Sequence, residues 1–103
     1  MQITSKAETY IGFSIKSGKI VWGLDNLTNS RKVKLIIACK TLSENSESKL
    51  LNYANDKGII VYKLIDKTLD TVVNKTNCKV IGLTDKNLAK AVIDNSQDFL
   101  KRV

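Results

Sequence analysis

The sequence predicts an α/β protein, a three-layer α/β/α sandwich built on a four-stranded mixed sheet. Short β-branched apolar runs alternate with segments whose apolar residues recur at helical spacing. Helices lying between strands imply crossover connections, hence a parallel or mixed sheet with helices on both faces. The 103 residues, 43% hydrophobic and 26% charged, suit one domain over 1–103 with a single modest core.

The elements follow in order. Ala7, Tyr10, Ile11, Ser14 and Ile15 fall on one helical face, which predicts a first helix over about 5–16. Ile20-Val-Trp22 is a short β-prone run, and a helix over about 24–31 follows with Leu24, Leu27 and Thr28 inward. Val33-Lys-Leu-Ile-Ile-Ala-Cys39 has the composition of a buried strand. Thr41 or Ser43 caps the next helix, which turns Leu50, Leu51 and Ala54 inward and stops at Gly58, a favourable residue just past a helix end. Ile59-Ile-Val-Tyr-Lys-Leu64 is the next strand. Asp66 caps a fourth helix with Leu69, Val72 and Val73 inward. Lys79-Val-Ile-Gly-Leu83 is the last strand, and Thr84 caps a final helix carrying Leu88, Ala91, Val92 and Phe99.

Composition narrows the function classes. With no proline and 5 glycines the chain does not read as linker or low-complexity sequence. No apolar run approaches the roughly 18–20 residues needed to span a bilayer, and Met1-Gln-Ile-Thr-Ser-Lys6 lacks a signal peptide's apolar segment. A cytoplasmic protein without a membrane role is the expectation, and a monomer. Cys39 and Cys78 lie far apart and there is no histidine, so neither a metal site nor a cofactor is expected and both thiols read as buried and reduced. Without histidine, a Ser/His/Asp constellation or a patterned acid pair, no catalytic residues and no enzyme activity are expected. Most carboxylates stand at expected helix starts, where capping explains them.

The charge is uneven. Of the net +7, residues 1–40 carry seven Lys/Arg against Glu8 and Asp25, or +5, and residues 41–103 carry ten against eight, or +2. The surplus gathers around Arg31-Lys32-Val33-Lys34 and the glycine-bearing stretch before it. A concentrated basic surface suits a polyanion; a solvated face that aids solubility is the competing reading.

That stretch, Ser17-Gly-Lys-Ile-Val-Trp-Gly-Leu-Asp-Asn-Leu-Thr28, runs strand, glycine, helix start, which leaves backbone N–H groups available to a phosphate or a base edge. Ser17-Gly18-Lys19 lacks the remainder of a phosphate-loop pattern. Trp22, beside the glycine, is placed either to stack on a base or to pack on the first helix near Tyr10 or Phe13. Tyr53 and Tyr62 read as amphipathic residues at the core's edge.

Four segments, in their order and spacing, give a resemblance over nearly the whole chain. They are Ser17-Gly-Lys-Ile-Val-Trp-Gly23; Val33-Lys-Leu-Ile-Ile-Ala38 followed by Leu42-Ser-Glu-Asn45; Lys49-Leu-Leu-Asn-Tyr-Ala-Asn-Asp-Lys-Gly-Ile-Ile-Val61; and Val80-Ile-Gly-Leu-Thr-Asp85 with Leu88-Ala-Lys-Ala91. Together they resemble the kink-turn-binding ribosomal-protein superfamily (archaeal L-seven-Ae, eukaryotic L-thirty-e), closest to the small stand-alone bacterial members of YlxQ type. The resemblance implies an RNA-binding, ribonucleoprotein-type module linked to the ribosome or translation. Its implied partners are structured RNA, ribosomal or another kink-turn RNA, and ribosomal or translation proteins. It also implies an RNA surface built from the junction at Gly23 and the loop before the last strand.

Carried over residue by residue, the family's junction reads Gly, any residue, Asn-Glu, two residues, then Lys. Here Gly23 and Leu24 fit, Asp25 stands for the Asn, Asn26 for the Glu and Asn29 for the Lys. An acid accepts hydrogen bonds only, whereas an amide also donates. Lys19, Arg31 and Lys32, with Gly18 beside them, remain to meet phosphates. The second loop, Asn74-Lys-Thr-Asn-Cys78, is polar where the archaeal loop is apolar, and offers Lys75, Thr76 and Asn77. Backbone contact is thus better provided for than base reading. A protein-interaction module of the same fold, without specific RNA binding, is the alternative.

Overall fold

The structure, a computed structural model, describes residues 6–30, 32–65, 68–73, 75, 78–96 and 99–103. Its elements are α1 (Lys6–Lys16), β1 (Ile20–Trp22), α2 (Leu24–Thr28), β2 (Leu35–Ala38), α3 (Glu44–Lys57), β3 (Ile60–Leu64), α4 (Leu69–Val73), β4 (Val80–Leu83), α5 (Lys86–Asp94) and β5 (Leu100–Arg102). The α/β class and the order of the first nine elements agree with the sequence reading.

The sheet has five strands, not the expected four, in the order β1-β4-β2-β3-β5. Only β2 and β3 are parallel; β1–β4, β2–β4 and β3–β5 are antiparallel. The strand the sequence conceals is β5, which pairs Leu64 with Leu100 and Tyr62 with Arg102. Leu100 is its one buried residue, and exposed Lys101 and Arg102 complete it. Charged side chains on a short edge strand discourage pairing between molecules, and they also erase the apolar alternation by which strands are read. Phe99, expected on the last helix, instead lies in the turn that enters β5.

Side-chain alternation divides the core in two. Leu35 and Ile37 of β2, with Ile81 and Leu83 of β4, face α1, α4 and α5. Ile36, Ala38, Val61 and Val80 face the other way, against Leu27 of α2 and Leu50 and Ala54 of α3. Gly82 makes the second layer tight: a Cβ there would stand 3.0 Å from Val33 Cγ1 and 3.1 Å from Leu27 Cδ1. Its bare Cα lets α2 lie close on β4.

The caps refine the expected boundaries. Of Thr41 and Ser43, it is Ser43 whose hydroxyl accepts from the Ser46 N–H. Gly58 ends α3 in the left-handed conformation at φ 68°. Asp85, not Thr84, caps α5 by accepting from the Leu88 N–H at 2.9 Å. Asx side chains and hydroxyls compete for cap positions, and here the carboxylate also has a lysine to hold it. α2 stops at Thr28, three residues short of expectation, and Thr28 is exposed. The expected cap Asp66 lies outside the described residues.

Candidate nucleic-acid interface

The strand register sorts the site residues to two ends of the sheet. Because β1 runs antiparallel to β4 with Ile20 opposite Leu83 and Trp22 opposite Ile81, Lys19 lies beside Thr84 and Gly23 beside Val80. Backbone bonds mark both places: Gly23 N–H donates to the Val80 carbonyl at 3.0 Å, and Thr84 N–H donates to the Lys19 carbonyl at 3.1 Å. Roughly 13 Å of extended strand separates the two ends.

At the first end, Gly23 has φ 82° and ψ 158°, a region essentially restricted to glycine. Nothing lies within 4 Å of where its Cβ would be. The requirement for glycine is therefore conformational, and the open side of the junction admits a ligand. No side chain caps α2, so the N–H groups of its first turn lack a side-chain acceptor. With five residues α2 carries little dipole; the junction offers donors in a defined geometry more than charge.

Asp25, Asn26 and Asn29 are all exposed, and Leu24 is half-buried against Leu27's core. The Asn26 amide donates to the Trp22 carbonyl at 2.8 Å and the Thr28 hydroxyl to the Asp25 carbonyl at 3.1 Å, so both side chains brace the turn. Of the two places for Trp22, the structure shows the packed one: the ring lies against the α1/α4/α5 core. Over its ring, 4.3 Å from the centroid, sits the ammonium of Lys75. Lys75 thus stands beside the junction. Thr76 and Asn77 lie outside the described residues.

Two further groups at this end are structurally engaged. Lys79 Nζ donates to Thr41 Oγ1 at 2.7 Å, and Thr41 Oγ1 lies 3.1 Å from Cys39 Sγ. Burial pushes the Cys39 thiol up, but the Leu69 N–H, the Thr41 hydroxyl and nearby Lys79 outweigh it and hold the thiol below its ordinary value. Cys39 and Cys78 are both buried and unbridged.

At the second end, Gly18 ends α1 at φ 72°, with Lys19 N–H returning to the Ser14 carbonyl at 2.9 Å. Lys19 Nζ pairs with Asp85 Oδ2 at 2.9 Å. That hydrogen bond, with the Leu88 N–H, holds the Asp85 carboxyl below its ordinary value. Gly18 and Lys19 therefore do not join Gly23 in one site, as the sequence order suggested. Lys32 reaches this end as well, since α2 runs back from Gly23 toward the start of β2; Arg31 lies outside the described residues. The α2–β2 turn is tied by the Tyr53 hydroxyl, 3.1 Å from both the Leu27 and Ser30 carbonyl oxygens. Tyr53 and Tyr62 are half-buried, as expected of core-edge residues.

Sequence reading placed Lys34 in the basic cluster 31–34 but missed the lysines that join it at this second end. Lys34, Lys57, Lys86 and Lys90 are exposed and line two neighbouring grooves, with Lys34 shared by both. They are scattered along the chain, and only the sheet register gathers them.

Among the described residues no three His, Cys, Asp or Glu side chains gather as a metal site would need, and no helix is long and apolar enough to cross a membrane. The fold and the junction together define a mixed α/β domain with a glycine-pinned strand-to-helix turn. No family model matches the chain, and no curated protein matches it. Among solved structures, the fold is similar to a protein with unknown function from Bacillus halodurans C, at TM-score 0.81 and 18% identity, over 88% of this chain and 96% of that one. A likeness at that identity shows a shared fold.

Proposed function

We propose that this chain is an RNA-binding module of the kink-turn-binding ribosomal-protein type. In this reading it recognises structured RNA and serves the ribosome or translation in the cytoplasm, without catalysis. One observation carries the reading. Gly23 holds a glycine-only conformation with open space above it, and Lys75 is held over Trp22 beside it. Phosphates meet the junction's N–H groups and Lys75, while Asp25, Asn26 and Asn29 face the bases.

Phosphate contacts dominate in this reading, because the base-reading positions carry an acid and two short amides. Affinity for a structured RNA should then fall by orders of magnitude between about 50 and 200 mM salt if six or more phosphates are met. The decisive variant is Asp25→Asn with Asn26→Glu and Asn29→Lys. It returns an amide, a carboxylate and a cation to the helix start, and it should raise affinity for a kink-turn RNA over a plain duplex of equal length. A folded triple variant with no gain on the kink-turn would refute the assignment.

A protein-interaction role is favoured by one observation, the commitment of the Asn26 amide to the Trp22 carbonyl, which removes a donor from base recognition. Purified protein free of nucleic acid, by its absorbance ratio at 260 and 280 nm, together with that failed gain, would favour this second reading.

A further inference from the structure

We propose that the Lys34 end of the sheet is a second RNA-contact surface, one that grips the backbone of a helical stem, separate from the Gly23 junction. The inference rests on reading the chain as an RNA binder, and it assigns residues which that reading does not use.

The two grooves at this end have a consistent chemistry. Lys34 and Lys57 line one, over Val33, Tyr53 and Ile59; Lys34, Lys86 and Lys90 line the other, over Ala89 and Ile93. Among the described residues no carboxylate lines either groove. Among the described residues the ion pairs are Lys19–Asp85 and Lys63–Glu47, so none of the four groove lysines has an acidic partner there. Of the nearby acids, Asp85 is already occupied by Lys19 and the α5 cap, while Asp56 beside Lys57 and Asp94 one turn beyond Lys90 form no ion pair with the groove lysines. The grooves open on the two faces of the sheet and meet at Lys34, so four like charges gather at one end of the sheet, and a polyanion relieves their repulsion.

The lysines come from different elements: the approach to β2, the last turn of α3, and two successive turns of α5. Lys86 and Lys90 are four residues apart on α5 and so share one face. Such a spread around one end matches a line of phosphates better than a single small anion. Long flexible ammonium stems over an apolar floor suit backbone contact without base reading. Placed roughly 13 Å from Gly23 by the strand rise, the surface meets a different part of the RNA from the junction.

The test uses the full chain and a plain 16-base-pair RNA duplex with no kink-turn, with affinity measured across a salt series. The quadruple variant K34A/K57A/K86A/K90A should lower the salt slope by roughly three, near one per lost phosphate contact. K34R/K57R/K86R/K90R should keep the slope, and K6A/K49A/K101A, which removes exposed lysines elsewhere, should change it by less than one. Equal loss per lysine in the quadruple and the control would overturn the proposal, since binding would then follow net charge alone. Absence of duplex binding by the wild-type chain at low salt would also overturn it, as would capture of polyglutamate in preference to the duplex. The Gly23 reading stands or falls separately, on whether the D25N/N26E/N29K variant gains affinity for a kink-turn.

Discussion

At the Gly23 end of the sheet the polar groups are largely engaged within the protein: Asn26 with the Trp22 carbonyl, Lys79 with Thr41, Lys75 over the Trp22 ring. At the Lys34 end, Lys34, Lys57, Lys86 and Lys90 stand exposed around grooves that no acid among the described residues lines. One end is a shaped, braced turn with few uncommitted cations; the other has cations and little fixed geometry. Shape with donors can discriminate, whereas loosely held ammonium groups supply affinity and salt dependence. The difference teaches that the glycine signature and the lysine cluster are two features in space, and of the four lysines only Lys34 lies near the glycine in the chain.

The comparison can be broken first by detaching α2, which links the ends. Leu27 is fully buried between α2 and the sheet, so Leu27→Ala should cost about 2–5 kcal/mol of stability by denaturant unfolding. It should weaken recognition at the Gly23 end in proportion to the loss of α2. Retained stability would show that α2 is not anchored there.

Gly82→Ala presses on the same contact from the sheet side. The added methyl meets Val33 and Leu27, and about 1–3 kcal/mol should be lost. A neutral result would mean that the two side chains yield freely.

Gly23→Ala separates conformation from crowding. The site is open, so the expected cost of about 1–3 kcal/mol comes from backbone strain at positive φ. Asn tolerates positive φ only in the left-handed helical region, at ψ of about 30–60°, and Gly23 stands at ψ 158°, so Asn should cost about as much as Ala. A near-neutral result for either would point away from backbone strain as the reason for glycine.

A smaller effect belongs to Lys75→Ala. Loss of its contact with Trp22 should cost about 0.5–1 kcal/mol, and Trp22 fluorescence should change while the fold holds. An unaltered spectrum would place the lysine elsewhere in solution. The smallest concerns pH. The folded Asp85 carboxyl titrates below its ordinary value, so its contribution is present above that value and is lost as pH falls through the lowered one. Asp85→Asn should therefore flatten the acid side of the thermal-stability profile slightly and leave neutral-pH salt effects at the four groove lysines unchanged.

Most of the fold is written locally. Ala7, Ile11 and Ser14 are buried on α1 as their spacing requires, and Ser14 is satisfied by donating to the Tyr10 carbonyl at 3.1 Å. The αL stop at Gly58 is equally local. What escapes is decided by tertiary pairing. Leu100-Lys-Arg102 becomes a strand because β3 offers an edge, and Asp85 outcompetes Thr84 as a cap with Lys19 holding its carboxylate. The same holds for the site. Gly23 and its neighbours are contiguous and so readable, whereas grouping Lys19 with them fails because β1 carries the two to opposite ends. The register that brings Lys34 beside Lys86 is no property of either segment.

Nitrogen-15 amide shift mapping of the 11.5 kDa chain during titration with a kink-turn RNA, then with a plain RNA duplex, tests the central claim most directly. The expected result is saturable shifts at Gly23–Asn26 and Lys75 that appear with the kink-turn, and shifts around Lys34, Lys57, Lys86 and Lys90 that appear with either RNA and fade with salt. An unchanged spectrum with both RNAs, or shifts scattered over the surface without either cluster, would contradict it.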